Sequence, residues 1–150
     1  MYERILVPYD GSATAARGLA EAVKLARITG ARLRLIHVVD ELSFAFAASE
    51  GLTFSGDMLG LLREGGAAIL AEGATRARAT GLTVETVLKD SFAGRVCDLV
   101  IDEAASWPAD LIVLGTHGRR GVGRLFMGSD AESIVRSAPI PVLLIRASQS

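Results

Sequence analysis

The chain has 150 residues, of which 50% are hydrophobic and 22% charged, a length and balance that suit one globular domain with a sizeable core. Sixteen Lys and Arg stand against 17 Asp and Glu, and the net charge of −1 argues against broad binding to nucleic acid or to an anionic membrane surface. No apolar run reaches the ~18 residues of a membrane span, and Met1-Tyr-Glu-Arg leads into a strand rather than into a signal peptide.

Ile5-Leu-Val-Pro8 is a short, unbroken apolar run, which predicts a central strand over about Glu3–Pro8. Pro8 lacks an N–H and belongs at the strand's end. Asp10-Gly-Ser12 is turn chemistry, with Asp10 or Ser12 available as an N-cap. From Ala13 to Thr29 the apolar spacing is helical: Leu19, Ala22, Val23 and Ala26 share a face, and Gly30 is a good stop. Ala31–Val39 reads as the second strand, with Leu33, Leu35 and Val39 on one face. His37 lies within it and has no second metal-ligand type at useful spacing, so it reads as a packed strand residue.

Asp40–Gly56 shows no period and carries Phe44, Phe46 and Phe54 among small residues, a long connection of the kind that serves as lid, binding segment or surface filler. Asp57 then caps a long helix to about Thr80. Its Gly60, Gly65, Gly66 and Gly73 each cost roughly 1 kcal/mol relative to Ala, so they predict a bend or a close neighbour. Leu82–Leu88 alternates and reads as a third strand near a sheet edge. Ser91 is the expected cap of a helix through Ser106, with Val96, Val100 and Ala104 on one face. Cys97 in that helix reads as a small buried residue, and as a lone cysteine it cannot form an internal disulfide, which suits a reducing cytoplasm.

The fourth strand, Leu111–Leu114, runs into a glycine-rich loop holding Gly115, Gly118, Gly121 and Gly123, closed by Gly128-Ser129 before a helix to Ala138. Ile140–Arg146 is the fifth strand. Strand and helix alternate throughout, which implies a doubly wound, parallel, five-stranded α/β sheet with helices on both faces. Ligands of such sheets sit at the carboxyl ends of the strands, where the winding reverses. A loop without side-chain bulk, feeding a helix N-terminus, is suited to hold phosphate there.

Gly115-x-x-Gly118, nine residues, then Gly128-Ser129 resembles the nucleotide-binding signature of the universal stress protein family. Ile5–Ser12, Ile36–Val39 and Ala138–Arg146 resemble that family's opening strand and turn, second strand and closing strand. The resemblance implies a Rossmann-like, adenine nucleotide alpha hydrolase-like fold that binds ATP, with or without Mg2+. It implies that Pro8, Asp10 and Val38 surround the adenosine, with the carboxylate near the ribose. Gly115, His117, Gly118, Gly128, Ser129, Asp130 and Ala131 would line the phosphates. It also implies a cytoplasmic homodimer, for which Val142–Ile145 is a suitable edge strand.

Plainer readings stand beside these. Ser129-Asp-Ala-Glu132 has the form of a capping box, in which Ser129 only satisfies backbone donors. Asp10 can be a turn former, His117 a solvent-facing loop residue, and Arg119, Arg120 and Arg124 a solvated face rather than phosphate ligands. Asp130 stands where the family often has an apolar residue, and its charge competes with phosphate for the positive end of the helix. The Walker lysine is missing, and no catalytic triad or metal cluster emerges, so the expectation is a nucleotide-responsive binding module with at most slow ATP turnover. The alternative is a stress-response dimer that binds no nucleotide and acts through protein contacts.

Overall fold

Ile5, Leu6 and Val7 are completely buried, the environment that an unbroken apolar run demands of a strand covered on both faces. They form the middle of β1 (Arg4–Pro8) in a computed structural model that describes residues 1–39, 56–90, 94–116 and 128–146, with the side chains of 56–58 outside the description. The remaining elements are α1 (Ala13–Thr29), β2 (Arg32–Val39), α2 (Gly56–Arg78), β3 (Val84–Asp90), α3 (Val96–Ser106), β4 (Leu111–Gly115), α4 (Ser129–Ser137) and β5 (Val142–Ile145). The five strands pair in parallel in the order β3-β2-β1-β4-β5. The doubly wound α/β reading is therefore correct.

Period-two alternation divides each inner strand between two cores. Ile5, Val7, Leu33, Leu35, Leu111 and Val113 face α1 and α2, where Leu19, Ala22, Ala26, Leu70, Ala74 and Ala77 meet them. Leu6, Ile36, Ile112 and Leu114 face α3 and α4, against Val100, Ala104, Ala131 and Ile134. Both β3 and β5 are edge strands, as the alternation in β3 predicts. No helix among the described residues is long and apolar enough to cross a membrane.

Local chemistry sets the element ends. Ser12 is the N-cap of α1, its Oγ accepting from the Ala15 N–H at 3.1 Å, while Asp10 Oδ1 accepts from the Ser12 N–H at 2.9 Å. Of the two candidate caps, Ser12 caps and Asp10 shapes the turn. Gly30 ends α1 in the left-handed region at φ 78. The glycines of α2 divide into two groups. A Cβ on Gly66 would lie 2.8 Å from His37 Cδ2, and one on Gly73 would lie 2.6 Å from Tyr9 Cε1, so these two admit close neighbours; Gly60 and Gly65 face open space.

Four expectations are corrected. Helix α2 begins at Gly56, so Asp57 lies inside it rather than capping it. Helix α3 begins at Val96 with Arg95 as its N-cap, so Ser91, which lies outside the described residues, does not start it. Strand β3 is displaced toward its C-terminus, Val84–Asp90 rather than Leu82–Leu88, because its pairing with β2 runs on to Val39↔Asp90. Gly128, not Ser129, is the N-cap of α4, and no side-chain cap bond is present, so the capping-box reading of Ser129 fails.

Candidate functional site

The strand order reverses between β1 and β4. From β1 the chain turns into α1 on one face of the sheet, and from β4 it continues to α4 on the other. The two strands' carboxyl ends part at that point, which is where open α/β sheets hold ligands.

On the β1 side the turn Tyr9–Ser12 is held tightly. The Tyr9 N–H donates to Ile36 O at 2.8 Å, and Gly11 takes a φ of 78 that its lack of a side chain permits. The Asp10 bond to Ser12 then fixes the carboxylate above the strand end. Pro8 pairs with Ile36, so Val38 lies further along β2, half-buried on the α3 face.

On the β4 side, Gly115 ends the strand against α1, where a Cβ on Gly115 would meet Thr14 Cγ2 at 2.5 Å. Thr116 N–H donates to Ile145 O at 3.0 Å, and Gly128 N–H donates to Thr116 O at 2.6 Å. The second bond brings the described residues on either side of 117–127 together and sets the start of α4 at the carboxyl end of β4. Glu132 N–H is the first in α4 to bond back, to Gly128 O at 2.9 Å. First-turn amides have no intrahelical acceptor, and Gly128 brings no side chain to cap them. Ser129 is exposed, Gly128 and Asp130 are half-buried, and Ala131 is buried in the α3–α4 core, so Ala131 can offer a ligand only its main chain.

The first turn of α4 also carries Asp130 and Glu132, and Glu132 accepts from Arg136 Nη2 at 2.7 Å. Burial first, then the nearby charges of Asp98 and Asp130, pushes the Cys97 thiol above its ordinary pKa. Cys97 is thus buried, as expected. His37 is packed as expected, and no group of three or more metal-ligating side chains occurs among the described residues.

The fold thus brings Pro8, Asp10, Gly115, Gly128, Ser129, Asp130 and Ala131 to the carboxyl edge around the reversal, with Val38 one strand away. His117, Gly118, Arg119, Arg120 and Arg124 lie outside the described residues, as do Phe44, Phe46 and Phe54. Sequence reasoning passed over Thr116, whose carbonyl anchors α4, and Tyr9, whose phenol donates to Glu72 Oε2 at 3.0 Å. Burial, then the Glu72 bond, raises the Tyr9 pKa above 10.0.

The model of the universal stress protein family matches residues 1–146. The chain belongs to that family. A universal stress protein of Thermus aquaticus is 36% identical over 146 residues, covering 97% of this chain and 100% of its own. The crystal structure of a universal stress protein family member from Burkholderia pseudomallei superposes with a TM-score of 0.75 at 31% identity, covering 97% of each chain. A universal stress protein from Archaeoglobus fulgidus, solved in complex with dAMP, shares the fold at 24% identity, with a TM-score of 0.69 over 96% of this chain and 98% of its own.

Proposed function

We propose that the chain binds an adenine nucleotide, ATP first among them, at the reversal between β1 and β4. Pro8, Asp10 and Val38 take the adenosine side. Gly115, Gly118, Gly128, Ser129 and the amides of the first α4 turn take the phosphates, and His117 lies beside them. The observation that carries this reading is the Gly128–Thr116 main-chain bond at 2.6 Å, which sets the start of α4, with a glycine as its N-cap, at the carboxyl end of β4 beside the reversal. Helix amides and the dipole favour a phosphate at that position, and a carboxylate across the gap accepts hydrogen bonds from ribose hydroxyls. The dAMP complex of the Archaeoglobus fulgidus protein supports the view that this fold accommodates an adenine nucleotide.

The protein acts as a nucleotide-responsive, homodimeric module in the stress response rather than as a fast enzyme, pairing through the β5 edge. Calorimetric titration of ATP with Mg2+ into the parent and into Asp10→Asn tests the reading. Asn keeps an oxygen for the Ser12 amide and removes the charge. Saturable binding by the parent, weakened about tenfold in the variant, is the expected result. No saturable binding by the parent leaves the alternative, action through protein contacts alone.

A further inference from the structure

His37 stands on a strand face that is otherwise apolar, in line with Leu33, Leu35 and Val39, and it is only 8% exposed. An aliphatic side chain would fill that position without a polar group to satisfy. Its Nδ1 lies 2.9 Å from the Tyr9 carbonyl oxygen. A carbonyl only accepts, so Nδ1 carries the proton. The other edge of the ring rests against α2, where a Cβ on Gly66 would stand 2.8 Å from Cδ2 and 3.3 Å from Nε2, so the ring is held in this orientation.

The bond acts on the chain just before Asp10. The Tyr9 carbonyl belongs to the same peptide plane as the Asp10 N–H, so fixing the oxygen fixes the plane and the departure of the Asp10 Cα. Tyr9 is also held by its own N–H on Ile36 and its phenol on Glu72. Neither of those contacts sets the plane that leads into Asp10.

We infer that His37 is a positioning residue: its Nδ1–H on the Tyr9 carbonyl sets the turn that presents the Asp10 carboxylate to the nucleotide. The statement about ligand rests on the proposed nucleotide site, whereas the statement about the turn does not.

The test uses the full chain, with His37→Leu, which removes the donor, and His37→Asn, whose amide nitrogen replaces Nδ1 at the same distance along the side chain. In the parent, 15N spectra of the imidazole show the Nδ1–H tautomer. In His37→Leu the Ser12 amide, bonded to Asp10, exchanges about tenfold faster, while the Leu33 amide, bonded to Thr83 O at 2.9 Å, keeps its rate. ATP binds about tenfold more weakly, and His37→Asn returns both values to within about threefold of the parent. An Nε2–H tautomer in the parent overturns the inference. So does a Ser12 amide that stays slow in His37→Leu or speeds only in step with Leu33, or an Asn variant no better than Leu. If the parent binds no ATP, the nucleotide reading fails, while the tautomer and the exchange rates still decide what His37 does.

Discussion

A Cβ on Gly115 would stand 2.5 Å from Thr14 Cγ2 and 3.0 Å from the Thr14 main-chain carbon and oxygen. Gly18 is seated one turn further along α1, where a Cβ would be 3.4 Å from Gly115 N. The end of β4 and the start of α1 are therefore in near backbone contact, and Gly115 is required for packing whatever it does for phosphate. Gly115→Ala should lower stability by about 1–3 kcal/mol, the usual range for an overpacked core, as read by urea unfolding. Adding Thr14→Ala should recover only part of the loss, because the main-chain contacts remain.

Asp130 places a carboxylate in the first turn of the helix proposed to meet phosphate. It suits the helix dipole and repels an anionic ligand. Asp130→Val should bind ATP about two- to fivefold more tightly by calorimetry. Equal affinity in the two proteins would show that the carboxylate lies out of range of the phosphates.

β5 stands at the edge of the sheet among the described residues, with Leu143 39% exposed on it. Pairing of this edge with a second copy, as in the proposed homodimer, would cover Leu143. Light scattering at micromolar concentration should find a dimer in the parent and a monomer in Leu143→Lys. A monomeric parent would refute the interface.

Arg34 joins a polar cluster on the α3 face. It pairs with Glu85 at 2.6 Å and with the buried Glu103, and it lies 4.6 Å from the centroid of the Trp107 ring. The hydrogen bond from Arg34 holds the Glu85 carboxyl below its ordinary 4.5. The folded state thus binds that proton more weakly than the unfolded chain. The stability it contributes is present above pH 4.5 and is lost as the pH falls through the lower folded value. Denaturant unfolding should show stability falling as the pH drops below about 4.5, with a shallower fall in Glu85→Gln. Identical slopes would assign acid unfolding to other carboxylates.

Strand and helix order, the bounds of α1 and the burial of β1 were all legible, because each rests on local periodicity and on turn chemistry within a few residues. What depended on distant partners was not. The Arg34–Glu103 pair spans 69 residues and left no trace in the sequence around either residue. The register of β3 is fixed by β2 and not by its own alternation. Around the site, the Gly128-Ser129 spacing correctly marked the start of α4, yet Ser-x-x-Glu looked like a capping box because a motif cannot show which residue holds the non-helical φ/ψ. Gly128 holds it, at φ −59 and ψ 150. His37 was legible as a packed residue, but its bond to Tyr9 O joins residues 28 apart, and only the folded chain reveals it.

Those Gly128 angles also make the central claim testable, since any residue can adopt them. Gly128→Val keeps the main-chain bond to Thr116 and costs about 1 kcal/mol of capping, while placing a branched side chain where phosphate would approach the α4 amides. Titration of ATP with Mg2+ into parent and variant, both checked for intact folding, is the most direct measurement. The account predicts saturable binding by the parent and at least about tenfold weaker binding by Gly128→Val. Equal binding by the two proteins would contradict it.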